Sequence, residues 1–289
     1  MKPIYGLVVF SLLIAGCEKI YDEPKDSVIE GIEAIDQLNS SISILPVIEH
    51  INSRFSQEGM DILVKQKLET ELNAQILWID SVFGNNEEVA LNIELKGNNR
   101  IFPNDYKGEM EITVKRNYLE LGSEVSVQIS NTNPLTIDYD KDESYSLRGS
   151  IEIQRTLTNT IEVDLQGLSI VSESDSESDS DSDSYQWEGL LTYEWVSGEN
   201  IPGVINDIIH VSGDGTLKDE NKIEFSWDIT TPLTWNIEPY CTRYFTSGVL
   251  LVKDDERYNI NFDPFENGAC NDIVKITKAG KSYEINLAD

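Results

Sequence analysis

The chain has 289 residues, with 52 acidic and 22 basic side chains, and its formal net charge at pH 7 is −30. This charge repels phosphate backbones, which argues against nucleic-acid binding. It also repels an anionic membrane surface unless a covalent anchor holds the chain there. A hydrophobic fraction of 39% is sufficient for one or two folded domains.

The first 16 residues have the pattern of a lipoprotein signal peptide. Lys2 supplies the positive charge, and the apolar stretch from Ile4 to Ala15 is shorter than the roughly 20 residues that span a bilayer. The stretch ends in Ile14-Ala15-Gly16-Cys17, the small-residue pattern of a bacterial lipobox. We predict that Cys17 becomes the mature N-terminus and carries lipid. The alternative is an ordinary signal peptide with a chance cysteine.

Residues 17–26 are rich in charge and are predicted to form a solvated tether. Acyl chains contribute about 0.8 kcal/mol per buried methylene, so a lipidated chain stays on a membrane despite its negative charge. We therefore expect a lipid anchor in the outer membrane of a Gram-negative bacterium, on the periplasmic face or the cell surface. Acidic residues after the cysteine, such as Glu18, resemble a surface-export signal of Bacteroidota lipoproteins.

Residues 27–85 are predicted to be helical, because their apolar residues recur at helical spacing. One stripe comprises Val28, Ile32, Ile35 and Leu38, and a second comprises Leu68, Leu72, Ile76, Ile79 and Phe83. The second stripe predicts a helix from Asp61 to Gly84, and Pro46 interrupts the stretch between the two stripes. These stripes could bind a partner, but packing against the following domain is the usual role of such faces.

Residues 86–289 change to a period of two, which is typical of antiparallel strands with one buried face. The clearest alternating runs are Met110–Val114, Val125–Ile129, Ile161–Leu165, Ile223–Ile229, Tyr258–Phe262 and Tyr283–Leu287. The fold class is therefore mainly β, with N-terminal helices packed on a large antiparallel β-meander. The sheet is expected to be curled, as a half-barrel or a sandwich. Strand-opening glycines at 108, 149, 189 and 248 are predicted to mark bulges or bends.

The tract from Ser172 to Ser184 alternates serine with acidic residues and contains no apolar side chain. Six like charges at this density prevent folding, so we predict a disordered loop within the β domain at 172–184. Weak Ca²⁺ binding is the alternative, but the glycine spacing of known calcium loops is missing.

Cys241 and Cys270 remain after Cys17 is assigned to lipid. Because an exported protein passes through an oxidising compartment, this leftover pair predicts a disulfide. Metal binding is disfavoured, since two thiolates without a nearby histidine are too few ligands.

No catalytic residue, metal site or cofactor is expected from the sequence. His50 and His210 lack neighbouring partners, and no nucleophile-elbow, zinc-protease or phosphate-loop motif is present. The four tryptophans of the later β region could form an exposed platform for a carbohydrate or other ligand, although burial is commoner. They are Trp187, Trp195, Trp227 and Trp235.

The C-terminal half contains Cys241, the strand Phe245–Leu250, the run Tyr258–Asp263, the turn Asn267–Asp272 and the closing hairpin Val274–Leu287. In these features it resembles a family of Bacteroidota lipoproteins of unknown function. Earlier blocks at Tyr106–Ile129 and Glu188–Trp195 are also similar. Pro264-Phe265-Glu266 departs from the family's glycine turn, and the acidic tract is an addition. The resemblance implies a β-rich lipidated protein and brings no known activity.

Two functions follow as hypotheses. The first is a membrane-anchored, non-enzymatic binding or structural protein, for example a carrier of a small apolar ligand between helix and sheet. The second is a glycan-binding or glycan-active protein that uses paired carboxylates and tryptophans. An apolar pocket between helix and sheet favours the first hypothesis, and a pair of carboxylates beside exposed tryptophans favours the second.

Overall fold

A computed structural model describes residues 44–58, 62–82, 88–98, 105–115, 120–140, 143–173, 184–197, 207–218, 224–236, 245–253, 257–268 and 273–286. Helices α1 (Leu45–Glu58) and α2 (Ile62–Glu71) come first. The strands that follow are β1 (Ala74–Val82), β2 (Glu88–Lys96), β3 (Asp105–Lys115), β4 (Glu124–Ile129), β5 (Leu135–Asp140), β6 (Glu143–Leu157), β7 (Thr160–Glu173), β8 (Ser184–Ser197), β9 (Ile208–Lys218), β10 (Glu224–Asn236), β11 (Ser247–Lys253), β12 (Arg257–Asn261), β13 (Ile273–Lys278) and β14 (Lys281–Asn286). Neither helix has the length and apolar character that a membrane-crossing segment needs.

The strands form one large antiparallel sheet of 14 strands, which confirms the predicted mainly β fold and its meander. Each strand pairs with its neighbour in sequence, except at β5. There β4 and β5 both lie between β3 and β6, so two short strands share one position in the sheet.

One face of the sheet is buried and the other is in contact with solvent. In β3 the side chains of Met110 and Ile112 are fully buried, whereas Glu111 and Lys115 are exposed. The same alternation follows β4 and β8, as the period of two predicts. The buried face, called the inner face below, belongs to one hydrophobic cluster that also includes Ile48 and Ile51 of α1.

The predicted helix from Asp61 to Gly84 is wrong in its second half. Helix α2 ends at Glu71, and Ala74–Val82 is a strand. Asn73 has a positive φ of 48°, a conformation that ends a helix. The pattern misled because Leu68, Leu72 and Ile76 are spaced by four and are all buried, although Ile76 belongs to the strand.

Pro46 lies in the first turn of α1, where a missing backbone N–H leaves no hydrogen bond unmade. The stripe from Val28 to Leu38 lies outside the described residues.

Of the four glycines predicted to open strands, Gly248 is the second residue of β11, whereas Gly108, Gly149 and Gly189 lie inside β3, β6 and β8. Gly149 in β6 and Gly167 in β7 lie at the register shifts of those strands, and Gly189 in β8 faces Gly215 in β9. Gly213, also in β9, has a φ of 143°, which side-chain-bearing residues rarely adopt. Such positions let strands bend and allow a wide sheet to curl.

The antiparallel pairing gives the sheet two distinct ends. The strand ends at Val82, Lys115, Leu157, Ser197, Asn236 and Asn261 lie at one end, which we call the 157–160 end. The strand ends at Lys96, Glu173, Ser184, Lys218, Lys253 and Lys278 lie at the other, the 173–184 end.

Candidate functional site

A small cavity lies on the inner face, close to the 157–160 end. Its volume is about 10 Å³, which is room for one water-sized group. Helix α1 and five adjacent strands, β6 to β10, supply its walls. The lining residues are Leu45, Glu49, Ile153, Ile161, Tyr193, Trp195, Ile209 and Trp235.

Tyr193 is the most unusual residue of this cavity. Its side chain is 1% exposed, and its hydroxyl has no hydrogen-bond partner among the described residues. A buried hydroxyl without a partner costs about 1–3 kcal/mol. Burial raises the pKa of Tyr193 well above its ordinary value, so the hydroxyl stays protonated at neutral pH and is available as a donor.

Trp195 connects the cavity to a buried carboxyl group at the start of β9. Its side chain hydrogen-bonds Asp207, which is 5% exposed. Burial raises the pKa of Asp207, and the hydrogen bond from Trp195 opposes that rise by favouring the charged form. The Oδ1 atom of Asp207 has no hydrogen-bond partner in the described part of the chain.

Arg155 brings a cation to the same region. It is 4% exposed and occupies an inward-facing position of β6, directly opposite Ile161 of β7. Its guanidinium lies 5.8 Å from the ring centroid of Trp195, within cation–π range, and its Nη1 donates a hydrogen bond of 2.6 Å to the carbonyl of Thr158. A cation, a carboxyl group and a phenol therefore gather at one end of an otherwise apolar face.

The four tryptophans are buried on the inner face, each 2–5% exposed, which confirms the burial interpretation. Trp195 and Trp235 line the cavity. Trp187 and Trp227 contact each other elsewhere, with ring centroids 5.8 Å apart. The second pair supports the bent part of the sheet, because the Trp227 ring lies over Gly189 and Gly215. A role of the four residues in ligand binding stays a prediction.

The two histidines lie in different places. His50 of α1 is 2% exposed, and its Nε2 lies 3.0 Å from a carboxylate oxygen of Glu71 at the end of α2, so the pair links the two helices. His210 is in β9, opposite Glu194 and Thr234. Within the described residues, no group of three or more potential metal-binding side chains comes together.

Cys17, Cys241, Cys270 and the acidic residues 174–183 lie outside the described residues. The strand ends that flank these two cysteines in the chain, Asn236 and Ser247 for Cys241 and Asn261 and Ile273 for Cys270, lie at the 157–160 end. Phe245 and Phe262, which lie next to these strand ends, pack their rings edge to face with centroids 5.3 Å apart.

The sequence favoured burial of the four tryptophans but assigned no role to Tyr193, Arg155 or Asp207. Arg155 had a visible signal, because it follows Ile151 and Ile153 at the inward positions of an alternating strand. An arginine at an inward position indicates a buried polar group with a specific partner.

The chain matches no family model, no curated protein and no solved structure. The resemblance to Bacteroidota lipoproteins and the lipid anchor therefore stay predictions.

Proposed function

We propose that this is a lipid-anchored protein of the outer membrane that binds a small amphiphile without catalysis. The ligand site lies between α1, packed on the sheet, and the inner face of a curled sheet. The observation that carries the proposal is the Tyr193 hydroxyl, which is buried in a cavity between helix and strands and has no partner among the described residues. Ligand pockets are mostly apolar, with a few polar groups that orient the ligand.

The chemistry of the walls specifies the ligand class. Leu45, Ile153 and Ile209 provide apolar contacts, which suit a hydrocarbon body. Tyr193 provides a donor, which suits an oxygen acceptor at the ligand's polar end.

Ligand entry requires α1 to move, because the cavity holds only one water-sized group. Leu45 and Glu49 form the helix side of the cavity, so an outward shift of the first turns of α1 enlarges it. Helix α1 then acts as a cover that a ligand displaces. Helix covers of this kind open by small movements of a whole element.

Glycan binding receives no support from the tryptophans. A glycan platform needs exposed aromatic faces, and Trp187, Trp195, Trp227 and Trp235 are buried. We therefore propose amphiphile binding and assign no catalytic residue.

Tyr193→Phe tests the ligand site. Because the hydroxyl donates to the ligand in our proposal, the variant should bind a dansyl-labelled fatty acid about tenfold more weakly than the wild type, the equivalent of one hydrogen bond. Fluorescence titration of the full chain measures the affinity. Equal affinity for both proteins, or no binding by the wild type, would refute the proposal.

Tyr258→Phe is the matched control. Tyr258 is also buried, but its hydroxyl accepts a hydrogen bond of 2.5 Å from Nζ of Lys278 and lies on β12, away from the cavity. This variant should lose about 1 kcal/mol of stability and keep its affinity for the fatty acid. Tyr193→Phe should not lose stability, since its hydroxyl has no hydrogen-bond partner among the described residues.

Cys17→Ala tests the anchor. Without the thiol no acyl chain can be attached, so the protein should leave the membrane fraction. Cell fractionation and immunoblotting measure its distribution, with the wild type as the control. Continued membrane association of Cys17→Ala would contradict lipidation at this position.

We further propose that Cys241 and Cys270 form a disulfide between two connections of the 157–160 end. The support is the contact of Phe245 with Phe262, which brings the described ends of those connections together. The bridge would hold β10 to β13 together next to the cavity wall that Trp235 forms.

A further inference from the structure

Two buried tryptophans on the inner face carry hydrogen-bond donors that no described residue satisfies. Trp187 of β8 and Trp227 of β10 are 2% and 3% exposed, and their ring centroids lie 5.8 Å apart at an interplanar angle of 52°. The indole Nε1 of each ring has no hydrogen-bond partner among the described residues. Each buried donor in this state costs about 1–3 kcal/mol, so two of them in contact are unfavourable unless an acceptor binds there.

The sheet positions paired with these two tryptophans carry no side-chain acceptor. Trp187 and Trp227 lie opposite one glycine and three aliphatic residues of the neighbouring strands. These are Leu168, Leu217, Gly215 and Val252. An indole N–H only donates, so the two rings do not satisfy each other. The acceptor that completes this arrangement therefore comes from a bound molecule.

Gly189 of β8 and Gly215 of β9 form a floor without side chains beneath the Trp227 ring. The two glycines are paired across the strands, and a Cβ added to either would lie 2.6 Å from Cζ2 of Trp227. Because a single ring atom separates Cζ2 from Nε1, the unpartnered N–H of Trp227 lies close to this floor. Glycine at such positions permits a close approach to the backbone. We call Trp187, Trp227, Gly189 and Gly215 the indole site.

The surroundings of the indole site specify an uncharged oxygen acceptor. A buried anion needs a cationic partner, and the paired positions hold only glycine and aliphatic side chains. A hydroxyl would bring a donor of its own, which would also need an acceptor. A carbonyl oxygen has two lone pairs and no proton, so it can accept from both indole N–H groups at once. The carbonyl of an ester, an amide or a ketone therefore fits this site.

The indole site and the Tyr193 hydroxyl lie on the same face of β8. The inward positions of this strand are, in order, Trp187, Gly189, Leu191, Tyr193 and Trp195. Gly189 and Tyr193 are four residues apart, which is about 13 Å at the rise of an antiparallel strand. Leu191 stands between them and is 1% exposed. The inner face of β8 therefore presents a donor at Tyr193, an apolar stretch and then the two indole donors.

We infer that the indole site binds an uncharged carbonyl in the distal part of the amphiphile whose polar end is held by Tyr193. This inference rests on the proposed function and narrows its ligand class. The ligand is a chain with an oxygen acceptor at one end and a carbonyl about 13 Å along it, with methylene groups against Leu191 between them. As at the cavity, the ligand makes its own room, since side chains at binding surfaces commonly change rotamer.

Two ligands of equal chain length test the inference on the unaltered protein. Monomethyl dodecanedioate has a carboxyl group at one end and an ester carbonyl near the other, whereas tetradecanoic acid has the same number of chain atoms and no ester. Each ligand competes with the dansyl-labelled fatty acid for the full chain in a fluorescence titration. The ester should bind about tenfold more tightly, because the two indole N–H groups gain an acceptor. Apolar burial alone gives the reverse order, since tetradecanoic acid has the larger apolar surface.

Trp187→Phe and Trp227→Phe locate the preference for the ester. Each variant removes one N–H and keeps an aromatic ring, so the preference should fall at least about threefold in each. Leu217→Val is the matched control, because it loosens the packing opposite Trp187 without removing a donor and should keep the preference. If a tryptophan variant does not fold, heteronuclear NMR of the wild type takes its place. The ester should then move two indole N–H signals downfield that tetradecanoic acid leaves unchanged.

The outcomes separate this inference from the proposed function. A preference for the ester that falls in both tryptophan variants and persists in Leu217→Val supports the indole site. Equal or weaker binding of the ester, which is expected if the indole donors bind only water, overturns the inference alone, as does a preference that the tryptophan variants keep. Affinity for the dansyl-labelled fatty acid and its decrease in Tyr193→Phe report on the proposed function separately. Displacement by neither ligand overturns both.

Discussion

Replacing Gly213 by alanine is expected to prevent folding or to lower the free energy of unfolding by at least about 3 kcal/mol. Two independent effects contribute to this loss of stability. The φ of Gly213 is 143°, which strains any residue with a side chain. An added Cβ would also lie 2.1 Å from the carbonyl oxygen of Leu190 and 2.9 Å from the Cα of Leu191, both on the paired strand β8.

Gly280→Ala separates the two causes. Gly280 also has a positive φ, 79°, but an added Cβ would meet no atom within 4 Å. The free energy of unfolding of this variant should fall by only about 1–2 kcal/mol, the cost of the left-handed conformation. Urea denaturation followed by circular dichroism compares the two variants. Equal losses would show that the backbone of β9 moves away from β8 without cost.

The strands were predictable because one face of the sheet is exposed to solvent. Glu111 and Lys115 alternate with Met110 and Ile112, so the period of two is visible in the sequence itself. The first strand, β1, was missed for a physical reason. Ile76 continues the four-residue spacing of Leu68 and Leu72, and the turn at Asn73 that ends the helix has no glycine or proline to mark it.

The bends of the sheet were only partly predictable. Glycine at 149 suggested a bulge, and a register shift is found there. Its location inside β6 was not visible, since it depends on the pairing of β6 with both β4 and β7. Pairing between strands is a non-local property, which a pattern of single residues does not contain.

The candidate site was even less predictable from the sequence than the bends of the sheet. Tyr193 is an ordinary inward residue of an alternating strand, and only the convergence of α1 with strands β6 to β10 places its hydroxyl in a cavity. Asp207 lies just before β9 and has no periodic pattern around it. A lipobox, in contrast, consists of consecutive residues, so the sequence alone suggests it.

Replacing Cys241 by alanine is expected to lower the free energy of unfolding by about 3–4 kcal/mol, the loop-closure effect for a bridge that spans about 30 residues. The native bridge to Cys270 would connect the entry of β11 with the entry of β13. Without it the strands from β11 onward are held by their ladders and by contacts such as Phe245 with Phe262. Urea denaturation under non-reducing conditions measures the loss.

A cycle of variants shows whether the two cysteines act as one unit. Cys270→Ala should lose as much stability as Cys241→Ala, and the double variant should lose no more than either, because one bridge is broken in all three. A reducing agent should lower the stability of the wild type to that of the variants and leave the variants unchanged. Peptide mapping without reduction should show one linked pair. Two free thiols, or additive losses in the double variant, would exclude the bridge and leave the contact of Phe245 with Phe262 to join these connections.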